Sequence, residues 1–129
     1  MKALLILLGF SACLTLQPSG AFAEGDAAVG KNVYKKCVAC HDATAAKNKV
    51  GPHLVGIVGR TAASAEGFKY SDALKAKGAE GFAWSEENIA TYLKKPKDFI
   101  PGIKMAFAGI KDDAEIANLI AYLKADPKP

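Results

Sequence analysis

Cys37-Val38-Ala39-Cys40-His41 places two thiols three positions apart, with an imidazole directly after the second. Each thiol at that spacing can add to one vinyl group of a porphyrin to form a thioether. The imidazole then lies under the iron, so the pattern reads as attachment of a c-type haem. Five residues alone leave three rival readings. A thiol–disulfide exchange site needs its reactive cysteine at a helix N-terminus, where the dipole stabilises a thiolate. Here the stripe Val29, Val33, Cys37 precedes the pair and puts it at the C-terminal end of its helix. Zinc would draw on Cys37, Cys40, His41 and His53, but two adjacent ligands fit one tetrahedron badly and the gap to His53 is far from finger spacing. The third rival is a plain structural disulfide.

The chain around this motif has 129 residues, 50% of them hydrophobic and 23% charged. That composition excludes collagen-like, low-complexity and disordered classes, and the length excludes a multidomain enzyme. Residues 1–23 read as a secretory signal peptide: Met1 and Lys2, an apolar run from Ala3 to Leu16, a break at Gln17-Pro18-Ser19-Gly20, then the small-x-small site Ala21-Phe22-Ala23. The run is shorter than the ~20 residues a spanning helix needs. A retained anchor, or a lipoprotein signal at Cys13, is the competing reading. Cleavage after Ala23 leaves one domain, 24–129, with 16 Lys and Arg against 13 Asp and Glu, so mildly basic.

Apolar periodicity predicts an all-α domain. Asp26 caps a first helix that ends near Cys40. The stretch 42–65, with Gly51-Pro52, Gly56 and Gly59, reads as a long loop. Ser71-Asp72 opens a short helix that stops at Gly78. Ser85 caps a better one, with Ile89, Tyr92 and Leu93 on one face, which Pro96 ends. A second loop, 97–111, contains the turn Ile100-Pro101-Gly102. The last helix starts at Asp112 or Asp113, buries Ile116, Leu119, Ile120 and Leu123, and stops before Pro127.

An iron held by His41 has a sixth position to fill. Beyond the signal peptide Met105 is the one methionine, in an apolar setting just past a Pro-Gly turn. A lone methionine is usually core filler, but with a haem indicated it is better read as the axial ligand, since Met/His ligation favours reduced iron. His53 is the rival, and bis-imidazole ligation would lower the potential.

The 24–129 region resembles a class I cytochrome c, close to the soluble bacterial cytochrome c2 type and similar to mitochondrial cytochrome c. The resemblance is carried by Cys37–His41, Lys49-Val50-Gly51-Pro52, Gly67-Phe68-Lys69-Tyr70-Ser71-Asp72-Ala73, Trp84, Tyr92-Leu93, Ile100–Met105, Phe107-Ala108-Gly109 and Leu119-Ile120-Ala121-Tyr122-Leu123, in that order. It implies about four helices and long loops wrapped around one haem bound covalently through Cys37 and Cys40, with His41 and Met105 on the iron. It further implies that the Pro52 carbonyl accepts from the His41 ring, and that Tyr70 and Trp84 donate to a haem propionate with Arg60 nearby. Tyr92 is implied near the Met105 sulfur, and the first and last helices cross with Gly30 and Tyr34 against Leu119 and Tyr122. The chain departs from the mitochondrial pattern at Ile103, Leu74, His53 and a longer segment from Gly78 to Trp84.

The expected function is electron carriage without chemistry on a substrate, in the periplasm, because the signal peptide sets this chain apart from the mitochondrial form. A haem enzyme with an open sixth site and a cytochrome domain docked permanently to a dehydrogenase are the alternatives. Expected partners are acidic redox proteins such as a cytochrome bc complex, a terminal oxidase, a photosynthetic reaction centre or a periplasmic reductase. Neither nucleic acid nor more than transient membrane-surface contact is expected, and the chain is expected to be a monomer. The resemblance places Lys36, Lys49, Lys97, Lys104 and Lys111 around the haem edge, where a positive face would steer such partners.

Overall fold

Asp26 accepts the main-chain N–H of Val29 at 3.0 Å and so opens α1, Ala27–Tyr34. The computed structural model describes residues 23–129, so the expected signal peptide, save Ala23, lies outside the described residues. α2 is Asp72–Ala79, α3 Glu86–Lys94, α4 Pro96–Phe99 and α5 Asp113–Lys124. Ser71, Ser85 and Asp112 cap α2, α3 and α5 by accepting the N–H of Leu74, of Asn88, and of both Ala114 and Glu115. Each cap satisfies donors that a helix start leaves without a partner.

α1 and α5 form the main helix pair. A Cβ at Gly30 would collide with the Asn118 carbonyl of α5, so the bare glycine lets the two backbones touch. Tyr34 and Tyr122 stack beside that contact with ring centroids 5.2 Å apart, and Asn118 accepts the N–H of Asp26 at 2.8 Å. Leu119, 1% exposed, anchors the core on the α5 side together with Ile116 and Ile120. α3 joins through Ile89 and Leu93, with ion pairs Lys124–Glu86 at 2.5 Å and Lys94–Asp113 at 2.9 Å on the surface.

Two expectations need correction. The first helix stops at Tyr34 rather than near Cys40, and its buried face is Gly30, Val33 and Tyr34, while Val29 is 47% exposed. The close approach at Gly30 sets which face turns inward, and that contact overrides the Val29–Val33–Cys37 stripe. Pro96 does not only end a helix; it starts α4, where its missing N–H costs nothing. The count is therefore five helices, because a single turn is too short to show a period. The 42–65 stretch is a loop as expected, tied by one isolated antiparallel bridge from Thr61 to Ala83, the one pairing of this kind among the described residues.

Candidate functional site

After Tyr34 the chain keeps turning without forming regular helix. Cys37 N–H donates to the Tyr34 carbonyl at 2.8 Å, and the N–H groups of Cys40 and His41 both donate to the Cys37 carbonyl. The two thiols and the imidazole thus sit on one stretch of irregular turns. The sulfurs are free, both half-buried. Burial pushes the Cys37 thiol up, against a weaker pull down from Lys36, so it is protonated and a poor exchange nucleophile. Among the described residues no three His, Cys, Asp or Glu side chains gather as a metal-binding group, which leaves the zinc reading without a site.

The His41 ring is fixed from several sides. Its Nδ1 lies 2.7 Å from the Pro52 carbonyl, and a carbonyl can only accept, so Nδ1 carries the proton. Nε2 is then an unprotonated lone pair. Gly51 lies flat on the ring, where a Cβ would strike Cε1, and Gly51 N–H donates to the Cys40 carbonyl at 2.8 Å. Tyr34 donates to the His41 carbonyl at 2.7 Å. Burial holds the His41 pKa below the ordinary histidine range, with the Pro52 bond opposing.

Met105 follows the turn at Gly102, whose φ of +90° suits glycine. The Tyr92 hydroxyl reaches its sulfur at 3.6 Å, and burial pushes that phenol up to about 12. Tyr92 belongs to an aromatic cluster: Trp84 stands edge-on to it at 4.8 Å, and Phe82 and Phe99 close the group. Cys37, Tyr92 and Met105 all pack, partly buried, on the core that holds Trp84.

A second polar group lies in the loops. The Trp84 N–H donates to the Arg60 carbonyl at 2.8 Å and Gly59 N–H to the Trp84 carbonyl at 2.7 Å, so main-chain bonds join these two residues. The Tyr70 hydroxyl accepts the Ala65 N–H at 3.0 Å, which leaves its own proton to donate. Arg60 Nε is buried without a partner among the described residues. A buried donor without an acceptor costs about 1–3 kcal/mol, and an anionic carboxylate would answer both it and Tyr70. Two free thiols, an imidazole with a free lone pair and a thioether, together with such donors, have the chemistry to hold a haem and its propionates.

The five lysines are all exposed. Lys36 is paired with Glu115 at 2.7 Å, which offsets its charge, whereas Lys49 donates to the neutral Val38 carbonyl and keeps its charge. Sequence reasoning missed Gly51 as a contact residue and His53 as the neighbour of Arg60. The motif around Gly51-Pro52 pointed to the Pro52 carbonyl but not to Gly51 itself, and no pattern linked His53 to a residue seven positions on.

The family model described as Cytochrome c matches residues 27–125. The chain belongs to the cytochrome c family. It is 50% identical over 109 residues to the cytochrome c2 of Agrobacterium tumefaciens, covering 82% of this chain and 98% of that one. It is 51% identical over 98 residues to the cytochrome c-550 of Ancylobacter novellus, covering 75% and 92%. The solved structure of cytochrome cH from Methylobacterium extorquens matches with a TM-score of 0.71 and 44% identity, covering 78% of this chain and 98% of that one. The fold is that of a class I cytochrome c of the c2 type, and the chain is a mono-haem electron carrier, not an enzyme.

Proposed function

We propose that this cytochrome c carries one haem c, joined by thioethers to Cys37 and Cys40 and ligated by His41 Nε2 and Met105 Sδ, and that it shuttles single electrons in the periplasm. The observation that carries the reading is the His41 ring, held by Pro52 so that Nε2 is left unprotonated, directly after two free thiols in the chain. Each thiol adds across one vinyl double bond: a sulfur–carbon bond forms, the double bond becomes single, and the thiol proton ends on the other vinyl carbon. The bound haem supplies a one-electron ferric/ferrous couple. Pro52 keeps the proton on Nδ1 and so fixes the ring. Tyr92 holds its own proton against Met105 Sδ, and its raised pKa keeps that phenol neutral.

Arg60 Nε, the Tyr70 hydroxyl and Trp84 serve the propionates in this reading. His53 is set aside as a ligand because its Nδ1 stands 3.3 Å from Arg60 Nη1. Residues 1–23 act as a cleaved signal peptide and 24–129 form the cytochrome domain. Its partners are acidic redox proteins: a cytochrome bc complex as donor, and a terminal oxidase, reaction centre or periplasmic reductase as acceptor. Lys97, Lys104 and Lys111 contribute the positive face with Lys36 and Lys49.

The test is the exported protein itself. Its intact mass should equal residues 24–129 plus one haem that acid-acetone does not extract. Met105→Ala should abolish the weak thioether-to-ferric-iron absorption at the red end of the spectrum, and His53→Ala should leave it. Carbon monoxide binding to the ferrous wild type at neutral pH would instead indicate an open sixth site.

A further inference from the structure

Arg60 is held from one side by a single short stretch of chain. Its Nη1 donates to the Val55 carbonyl and its Nη2 to the His53 carbonyl, both at 2.9 Å, and Nη1 also stands 3.3 Å from His53 Nδ1. A guanidinium has only donors, so the histidine atom facing it must be the acceptor lone pair, with the ring proton on Nε2. The contact therefore requires neutral imidazole. A protonated ring would set an N–H and a second positive charge against Nη1. Arg60 Nε, buried and without a partner, is the donor left for the proposed propionate.

The other groups around His53 do not replace this contact. Asn48 Oδ1 accepts the His53 main-chain N–H at 3.1 Å. Asp42 is the nearby acid and favours the charged ring, but its Oδ1 is taken up by the N–H groups of Thr44 and Ala45 and by the Thr44 hydroxyl. No carboxylate forms an ion pair with the ring among the described residues.

We propose that His53 is a positioning residue for electron transfer: by accepting from Arg60 only while neutral, it makes the place and field of that guanidinium, and with them the potential of the haem, respond to pH. This rests on the haem reading above. Protonation adds a positive charge and releases one Nη1 N–H while the other stays on Val55, and positive charge near an electron-accepting centre favours its reduced form. By linkage the ring then binds its proton more tightly in the reduced protein than in the oxidised one. Slight burial and then Arg60 hold His53 below the ordinary histidine range. The potential should thus fall with rising pH in a window below about 6.5 and level off above it.

The experiment measures midpoint potential against pH for the haem-loaded wild type, His53→Gln and His53→Leu, and follows the His53 ring by NMR in both redox states. Gln can still accept from Arg60 but does not titrate; Leu can do neither. The expected result is a higher ring pKa in the reduced wild type and a downward step in its potential that is absent from both variants. Above the step, His53→Gln should match the wild type while His53→Leu departs from it. Equal ring pKa values in the two redox states, or a step that survives unchanged in His53→Gln, overturn the inference. So does a His53→Leu potential equal to that of His53→Gln. A chain that takes up no haem would instead overturn the underlying reading of the site.

Discussion

The hydroxyl of Tyr34 donates to the main-chain oxygen of His41 at 2.7 Å while its ring stacks on Tyr122. One side chain thus ties the α1–α5 crossing to the proposed proximal ligand. Burial first, with nearby negative groups adding to it, pushes this phenol up to about 12. A folded pKa above the unfolded value near 10 means the folded chain holds more protons between roughly pH 10 and 12. The contribution is whole below that range and is lost as pH rises through it. Tyr34→Phe should cost about 1 kcal/mol at neutral pH yet lose less stability than the wild type across that alkaline window. Urea midpoints at neutral and alkaline pH check this, and parallel losses would count against it.

Gly51 touches the face of the His41 ring, so Gly51→Ala should displace the ring from Pro52. Haem content per chain and melting temperature should both drop. Gly56→Ala is the control: its φ of +64° makes alanine strained, but nothing lies within 4 Å of the added carbon. That variant should lose about 1 kcal/mol with haem content unchanged. Equal haem loss in the two would show that the close contact does not matter.

Gly30→Ala should destabilise by at least ~2 kcal/mol, because a methyl group placed against the Asn118 carbonyl has no rotamer to escape into. Chemical denaturation of the haem-loaded protein gives the number. A neutral result would mean that α1 and α5 can part without cost.

Charge reversal separates docking from a solvated surface. Lys104→Glu should slow electron transfer to an acidic partner at low salt far more than Lys31→Glu on α1 does. The gap should close as salt shortens screening from about 10 Å at 0.1 M to about 3 Å at 1 M. Lys36→Glu also breaks the pair with Glu115, so Lys36→Glu/Glu115→Lys is the proper comparison there. Lys128 is unsuitable as a control, since its Nζ caps the carbonyls of Leu123 and Ala125 at 3.0 Å each. Equal slowing by Lys104→Glu and Lys31→Glu would leave docking to apolar contacts.

What could be read from the residues themselves, apart from the family resemblance, was whatever depends on neighbours within a turn or two. The caps Asp26, Ser71, Ser85 and Asp112, the stripe on α5 and the Cys37–His41 motif all have that range. The face that α1 buries could not be read from periodicity, because Asn118 on α5 decides it through Gly30; the family resemblance alone pointed to Gly30 and Tyr34. α4 is one turn long and shows no period. The pairing of Thr61 with Ala83, and the meeting of Arg60 with His53, depend on loop paths with no repeating pattern.

The turn that carries Cys37, Cys40 and His41 is closed by bonds reaching only three or four residues back, from Cys37 to Tyr34 and from Cys40 and His41 to Cys37. The bonds that bring Trp84 to Arg60, and α5 to α1, span long stretches of chain. Short closures form early and long ones late, since loop entropy must be overcome first. The thiols can therefore be presented on a nascent, otherwise open chain. On the proposed haem reading, covalent attachment precedes closure of the tertiary structure, and the later contacts wrap a group already in place.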